Sequence, residues 1–447
     1  MYNYQQDRKA SLRLRFIIVG AGIAGLSCAY SLRQAGHDVQ VLEGLTRIDS
    51  PTGVKIPPNM SRILYTWGLR SRLQEIAGGR CPKVVFRSAS SGEFISEVPY
   101  IKEVMNELEA DVYLAHHGDC IRMLYDLAVG AGAKVRFNAR VTKIDKSKPS
   151  VTLSSGEEIY GDLIIGADGD NSIIRPLVLA EEREETEEEK EGLFTTYTFT
   201  VPSGTFKNDK ELIDLMSVPS WNIFLGDAFG ILIHPTHSRT SLSATVWKRG
   251  DSALVRRGWT HKVPVSESLP KGYKLVPMLE RLWKLAGNAV RSKLVTQSPL
   301  ENWFDDSGHL LLIGDAAHNV YPNSAHSASL AVEDAVVLGK LFATLTNRKH
   351  IKTLLSSFQD LRQRRCESVR DSEIGKIKLI SMPAGPESNA RDSQLREATK
   401  TDWENMDEGY LREQWEEFVD VFGYNAFEDA DTWMVEFGFL LDRTNGA

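Results

Sequence analysis

"RFIIVGAGIAGLSCAYSLRQAGHDVQVLE", residues 15–43, contains a full turn of sequence punctuation between two apolar runs. The run "RFIIV" is short, β-branched and uninterrupted, which is how a strand buried on both faces reads. It stops at "GAGIAG", passes into helix-like "LSCAYSLRQAG", and returns to a second short strand, "VQVL". This is a βαβ unit with a G-x-G-x-x-G turn at its first crossing. Gly20 permits the tight turn, Gly22 lets a pyrophosphate approach the backbone, and Gly25 lets the helix pack close to the strand. The helix N-terminus then presents unpaired N–H groups to phosphate oxygens. Glu43 closes the second strand, where a carboxylate can accept hydrogen bonds from ribose hydroxyls. The expectation is a dinucleotide site.

Two later stretches repeat the theme of a buried strand ending in an acid. "DLIIGADGDNSIIRPLV" runs into Asp168-Gly169, with Ser172 and Arg175 beyond, and "HLLLIGDAAHNVYP" runs into Gly314-Asp315. Open α/β sheets bind ligands at the carboxyl ends of their strands. Three such turns in one chain therefore point to one composite site.

Composition bounds the alternatives. The chain has 447 residues, 42% apolar and 25% charged, so it is an ordinary globular chain long enough for two or three packed subdomains. Fifty-three basic against sixty acidic side chains give a net charge of −7, which offers nucleic acid no partner. Cys28, Cys81, Cys120 and Cys366 lie far apart without zinc-like spacing and read as scattered thiols of a reducing compartment. No apolar run reaches the ~18 residues of a membrane span, and no signal-peptide pattern opens the sequence. The expectation is a cytoplasmic protein with no integral membrane segment; nothing in the sequence sets its oligomeric state.

Gly20 to Gly25, Asp168-Gly169 and Gly314-Asp315 together resemble the three fingerprints of the single-component FAD-dependent aromatic hydroxylases. "PTGVKIPPNMSRILYTWGL", residues 51–69, is similar to a segment of the salicylate-hydroxylase-like branch frequent in fungal secondary metabolism. The resemblance implies an α/β fold: a Rossmann-like FAD-binding domain assembled from residues 1–83, 102–191 and 300–345. A mainly antiparallel β-sheet substrate domain would be inserted from residues 84–101 and 192–299, with a C-terminal helical region over 346–447. "GLFTTYTFTVPSG", "WNIFLGDAFGILIHPT" and "RTSLSATVWKRG" independently read as β-rich strands with turn punctuation. The acidic run at residues 181–191 reads as a solvated loop between the domains.

By the same resemblance, Gly20, Gly22, Gly25, Glu43, Asp168, Gly169, Gly314 and Asp315 would hold FAD, with NAD(P)H visiting as a transient co-substrate. The substrate would be a small hydrophobic or aromatic molecule, hydroxylated or epoxidised with oxygen from O2.

The flavin-ring end departs from the pattern. The family commonly continues Asp-Ala-Ala-His with a proline and a P-x-x-G-Q-G stretch; here Pro322 leads into "NSAHSAS", with Ser324, Ala325, His326 and Ser327 in place of the glycines and glutamine. Glycine tolerates positive φ and close approach, whereas Ser and Ala do not. His117 stands where an arginine is usual, and Lys55 replaces a commonly uncharged residue near the flavin edge, so Lys55, His117 and Ser327 join the cofactor candidates. Either flavin still binds through a drifted loop, or the fold now shapes a redox-neutral ring closure as a cyclase or isomerase. In both cases a proton-handling group is needed, and His234, His237 and His326 are candidates, with Tyr321 and Arg239 as orienting groups. "HPTH" lacks a third ligand in sequence and is not read as a metal site.

Overall fold

The computed structural model describes residues 8–47, 52–179, 194–250, 261–294, 300–318, 324–401 and 408–438. The acidic run and Tyr321 lie outside the described residues.

The opening stretch folds as its spacing requires. Strands β1 (Arg15–Val19) and β2 (Asp38–Leu42) pair in parallel across the helix Ile23–Gln34. On the other side of β1 stands the strand before Asp168, and beyond it the strand before Asp315. The central sheet thus has five strands in the order Leu310–Leu312, Leu163–Gly166, β1, β2, Lys134–Arg136. The three turns bearing Gly20, Asp168 and Asp315 therefore sit side by side at one edge. The residues between them in the chain leave that edge and return to it.

A second, eight-stranded sheet is mainly antiparallel, and its single parallel pairing joins Trp221–Leu225 to Lys83–Ser88. β3 (Gly53–Ile56) pairs with Tyr113–His116 in a small two-stranded sheet between the two large ones.

The eight-stranded sheet is buried on both faces, and the two faces differ in chemistry. In the strand Ser241–Arg249, Leu242, Ala244 and Val246 join Tyr197, Phe199, Ile231 and Ile233 in an apolar core. Helices Lys210–Ser217 and Pro277–Ala286 cover that core with Leu212, Met216, Leu279 and Leu282. Side chains alternate along a strand, so Ser243, Thr245 and Trp247 point the other way, with Thr196, Thr198 and His234 beside them in register. All six are buried. This polar face looks toward the nucleotide-binding half: the His234 ring lies against Gly53, and Gly230 lies against Ile380 at the end of the long helix Ile351–Ile380.

The remaining C-terminal chain is helical, with helices Pro386–Thr399, Glu408–Phe422 and Ala426–Phe437. No described helix is long and apolar enough to cross a membrane. All four cysteines are buried and free.

Candidate functional site

The nucleotide cradle is built from backbone. Gly20 has φ +106°, and a Cβ there would stand 2.3 Å from the Ala167 carbonyl oxygen. At Gly25 a Cβ would meet the Gly20 carbonyl oxygen at 2.0 Å, whereas the space beside Gly22 is open. Gly22 caps the helix without a side-chain hydrogen bond, and no acid occupies the first turn. An anion is the group that such an end accommodates. Glu43 braces the turn, its Oε2 accepting from Ala21 N (2.9 Å) and its Oε1 from Leu45 N (2.9 Å).

Asp168 accepts from Ile173 N through Oδ2 (2.8 Å), while its buried Oδ1 has no hydrogen-bond partner among the described residues. Burial raises its carboxyl above the ordinary range, against hydrogen bonds from Ser172 and Ile173. Gly169 beside it has φ +75° and open space. Gly314, with φ +59°, donates its N–H to Asp334 Oδ2 (2.9 Å), and Asp315 Oδ1 accepts from Ser327 Oγ (3.2 Å). Arg175 donates to the Ala316 carbonyl (3.4 Å), tying the second turn to the third. An open phosphate approach, an uncapped helix end and an orphaned carboxylate oxygen at adjacent strand ends fit the FAD that these motifs imply.

The described part of the altered loop is not strained. None of Ser324 to Ser327 has positive φ, so the conformations that would demand glycine do not occur there. Ser324 Oγ instead accepts from His326 N (3.0 Å) and Ser327 N (2.8 Å), and Glu373 Oε2 accepts from Ala325 N (3.0 Å). The amides leading into the helix Ser327–Phe342 are thus engaged by the protein's own side chains.

His326 is fully buried, stacked on Phe422 with ring centres 4.7 Å apart. Among the described residues neither ring nitrogen has a hydrogen-bond partner; Nε2 lies 3.6 Å from Glu373 Oε1. Burial, with Lys376 and Arg365 adding to it, drives this imidazole down to about 3, so it is neutral at physiological pH.

The other candidates divide. His234 is buried against Gly53, where a Cβ would stand 2.3 Å from its ring, and its Nδ1 lies 3.1 Å from the Pro235 carbonyl. Burial holds it down to about 4, helped by Lys55 and His116. Lys55 occupies β3 at 5% exposure with its ammonium 5.2 Å from the ring centres of both Trp221 and Trp247. Burial lowers it to about 8, and Glu373 is the acid that opposes the shift. Lys55 and Glu373 therefore join the polar sheet face to the altered loop.

His117 opens the helix His117–Gly130, its backbone N–H donating to the Thr52 carbonyl (3.0 Å) and its buried Nδ1 lacking a partner among the described residues. Burial, then His116, lowers it to about 4. His237 and Arg239 lie in a left-handed turn where His237, Ser238 and Arg239 have φ 49°, 52° and 63°. His237 Nδ1 lies 2.6 Å from Asp119 Oδ2, its ring stacks on His116 at 3.7 Å, and Arg239 donates to the Ser217 carbonyl (2.9 Å). His116, Asp119 and His237 bring ligand atoms within 4.8 Å of one another, without His234, the other histidine of "HPTH". They come from separate segments, which a local spacing rule does not see.

Sequence reasoning missed Glu373, Phe422, Trp221, Trp247 and Ser243. It also missed the buried ion network behind the third turn. Arg362 binds Glu333 (2.9 Å) and Asp334 (2.8 Å), Asn59 donates to Glu333 (2.6 Å), and His318 Nε2 meets Asp334 at 2.6 Å. The alternation in "SLSATVW" was a usable signal for the polar face, but a polar face ordinarily reads as solvent-exposed.

Fold and site together define a flavoprotein of the aromatic-hydroxylase type. The sequence pattern of the FAD binding domain family matches residues 13–373, and the chain belongs to that family. It is 29% identical over 381 residues to a FAD-dependent monooxygenase of Aspergillus candidus, covering 81% of this chain and 85% of the relative. It is 26% identical over 372 residues to a hispidin-3-hydroxylase of Neonothopanus nambi, covering 80% and 86%. A salicylate hydroxylase substrate complex superposes with TM-score 0.70 at 17% identity, covering 94% of this chain and 97% of that one, a likeness of fold. These relatives place the chain among the flavin-dependent monooxygenases.

Proposed function

We propose that this protein uses NAD(P)H and O2 to hydroxylate or epoxidise a small aromatic or polycyclic secondary metabolite in the cytoplasm. One observation carries the reading. A buried polar sheet face with unpartnered hydrogen-bonding atoms at Ser243, Trp221 and Trp247 lies across Lys55 and Glu373 from the loop at His326, next to the FAD cradle. Buried polar groups without protein partners are costly unless a ligand satisfies them. The relatives' printed names, monooxygenase and hydroxylase, agree with that placement.

Gly20, Gly22 and Gly25 would admit the FAD pyrophosphate, Glu43 the adenosine ribose, Asp168 and Gly169 the phosphate region, and Asp315 with Ser327 the ribityl chain. Bound there, FAD supplies two-electron reduction by NAD(P)H and activation of O2, one oxygen atom entering the substrate and the other leaving as water. The protein's own share is orientation, exclusion of water and proton handling. His326 and His234 enter the reaction neutral, because their protonation is suppressed by burial. A neutral imidazole can hydrogen-bond to a substrate hydroxyl, but burial that lowers its pKa to about 3 or 4 also makes it a weak proton acceptor, so the expectation of a histidine base near neutral pKa does not hold for these two.

The test is the visible spectrum of the purified protein, then NADPH oxidation under air with a panel of phenolic and polycyclic substrates. Substrate-stimulated oxidation with oxygen incorporated into product supports the proposal, and His326→Gln is expected to lower kcat. A protein that cannot be loaded with FAD would end it. The engaged amides of Ala325, His326 and Ser327 favour one other reading, a redox-neutral cyclase or isomerase on the same fold, since those donors are occupied by Ser324 and Glu373. Conversion of substrate to an isomer without NADPH consumption would select it.

A further inference from the structure

Three side chains from separate segments meet where the eight-stranded sheet rests on the nucleotide-binding half. His116 ends the strand Tyr113–His116, Asp119 lies in the first turn of the helix His117–Gly130, and His237 sits in the hairpin between the strands Phe229–Thr236 and Ser241–Arg249. An imidazole nitrogen or carboxylate oxygen of each lies within 4.8 Å of those of the other two. His237 Nδ1 and Asp119 Oδ2 are 2.6 Å apart, and the His237 ring stacks on His116 with centres 3.7 Å apart and planes inclined at 28°. His116 is buried, while the Asp119 and His237 side chains are half-buried, so the cluster is open to an ion from solvent.

The hairpin is held in a conformation that its own residues disfavour. His237, Ser238 and Arg239 are three successive residues with a Cβ and positive φ, a region that L side chains avoid. Ser238 N and Oγ donate to the Ile76 and Glu75 carbonyls (2.9 and 2.6 Å), and Arg239 donates to the Ser217 carbonyl (2.9 Å). These bonds pin the turn and, with it, His237 against Asp119. Backbone strain kept in place by surrounding contacts gathers at ligand-binding positions.

We propose that His116, Asp119 and His237 bind a borderline divalent metal ion, Zn2+ by preference, which clasps the hairpin of the eight-stranded sheet to the nucleotide-binding half. Two imidazoles and a carboxylate suit Zn2+, Co2+ or Ni2+, whereas Mg2+ and Ca2+ take oxygen ligands. At bond lengths of ~2.0–2.1 Å, tetrahedral donors stand roughly 3.3 Å apart. Asp119 and His237 therefore part slightly from 2.6 Å, and the two rings leave their stack to converge on the ion. His237, at the solvent edge, is the ring with room to turn. Binding releases to solvent the proton held between His237 Nδ1 and Asp119 Oδ2. An ion at His116 Nδ1 would also replace the 3.2 Å hydrogen bond that this nitrogen accepts from Gly118 N. Water completes the coordination. The inference does not depend on the oxygenase reading.

The experiment uses the full-length, FAD-loaded protein after dialysis against a chelator. Zn2+ is titrated by calorimetry, and thermal melts are recorded with and without saturating Zn2+, with Mg2+ as the control ion. A single Zn2+ per chain should bind saturably. The thermal midpoint should rise with Zn2+ and not with Mg2+, because the three ligands are brought together only in the folded protein. Co2+ in place of Zn2+ should give the difference spectrum of an ion ligated by nitrogen and oxygen, without a thiolate band.

Asp119→Asn and His237→Gln should each weaken Zn2+ binding at least about tenfold and remove the rise in midpoint. His261→Gln, at an exposed histidine, should change neither. The flavin spectrum of each variant reports whether it has folded. His318, Asp334 and Cys366 also bring ligand atoms together, although Arg362 already binds Asp334 there. Zn2+ binding lost in Cys366→Ser and kept in His237→Gln would put the ion at that second cluster and overturn the inference. So would the lack of saturable Zn2+ binding, or binding unchanged in flavin-loaded Asp119→Asn and His237→Gln proteins.

Discussion

Gly53 shows how one missing Cβ sets a site. Its Cα faces the His234 ring so closely that a methyl group would stand 2.3 Å from Cε1 and Nε2. Gly53→Ala must therefore displace His234 or β3, at a cost of about 1–3 kcal/mol. Urea denaturation of the flavin-loaded protein checks it; an unchanged midpoint would show that the ring moves freely. The buried histidines carry a pH signature. His234 and His326 have folded values of about 4 and about 3 against an ordinary 6.5, so the unfolded chain takes up protons first as pH falls. Their contribution to stability is complete above pH 6.5 and declines as pH falls toward the folded values. His326→Gln should flatten the loss of stability between about pH 6.5 and 4, read as urea midpoint against pH. These residues were legible as candidates because His234 falls in a strand-like stretch of the expected substrate sheet and His326 in the altered loop. Their neutrality was not, because it comes from burial that the local sequence does not reveal.

At the scale of the element, the helix Ser327–Phe342 matters through both its head and its acidic pair. Its head is stapled by Ser324, which replaces a glycine-rich approach with side-chain acceptors. Glu333 and Asp334 then reach the long helix Ile351–Ile380 through Arg362 and Arg365, all four being buried. Burial opposes the Asp334 charge, but His318 and Arg362 hold its carboxyl down to about 2. Asp334 thus adds stability that is present above its ordinary 3.8 and is lost as pH falls toward 2. Arg362→Met leaves two buried carboxylates under-compensated and should cost about 3–5 kcal/mol, visible as a large drop in thermal midpoint. The Glu-Asp pair was visible in sequence, but its partners Arg362, 28 residues beyond Asp334, and Arg365, 32 residues beyond Glu333, were not. A helical charge ordinarily reads as solvated, and only the packing of the two helices makes it a core contact.

Across the whole molecule, the eight-stranded sheet meets the nucleotide-binding half at several points of unequal strength. The His237–Asp119 contact is half-exposed, with side-chain exposures of 37% and 26%, so His237→Ala should cost no more than about 1 kcal/mol. A calorimetric melt that fell by much more would show that this contact carries the junction. The deeper contacts, His234 on Gly53 and Lys55 between Trp221 and Trp247, are the ones expected to tie site geometry to domain packing. What the sequence determined by itself was the nucleotide-binding scaffold: the G-x-G-x-x-G turn, the two strand-end acids and the strand alternation are short-range patterns governed by local backbone sterics and side-chain periodicity. What only the tertiary structure decided was the chemistry opposite that scaffold. Whether the Ser/Thr/Trp face of a strand meets water or a buried lysine depends on the sheet's other neighbour. That neighbour is supplied by residues more than a hundred positions away, whose contacts exist only once the chain has packed.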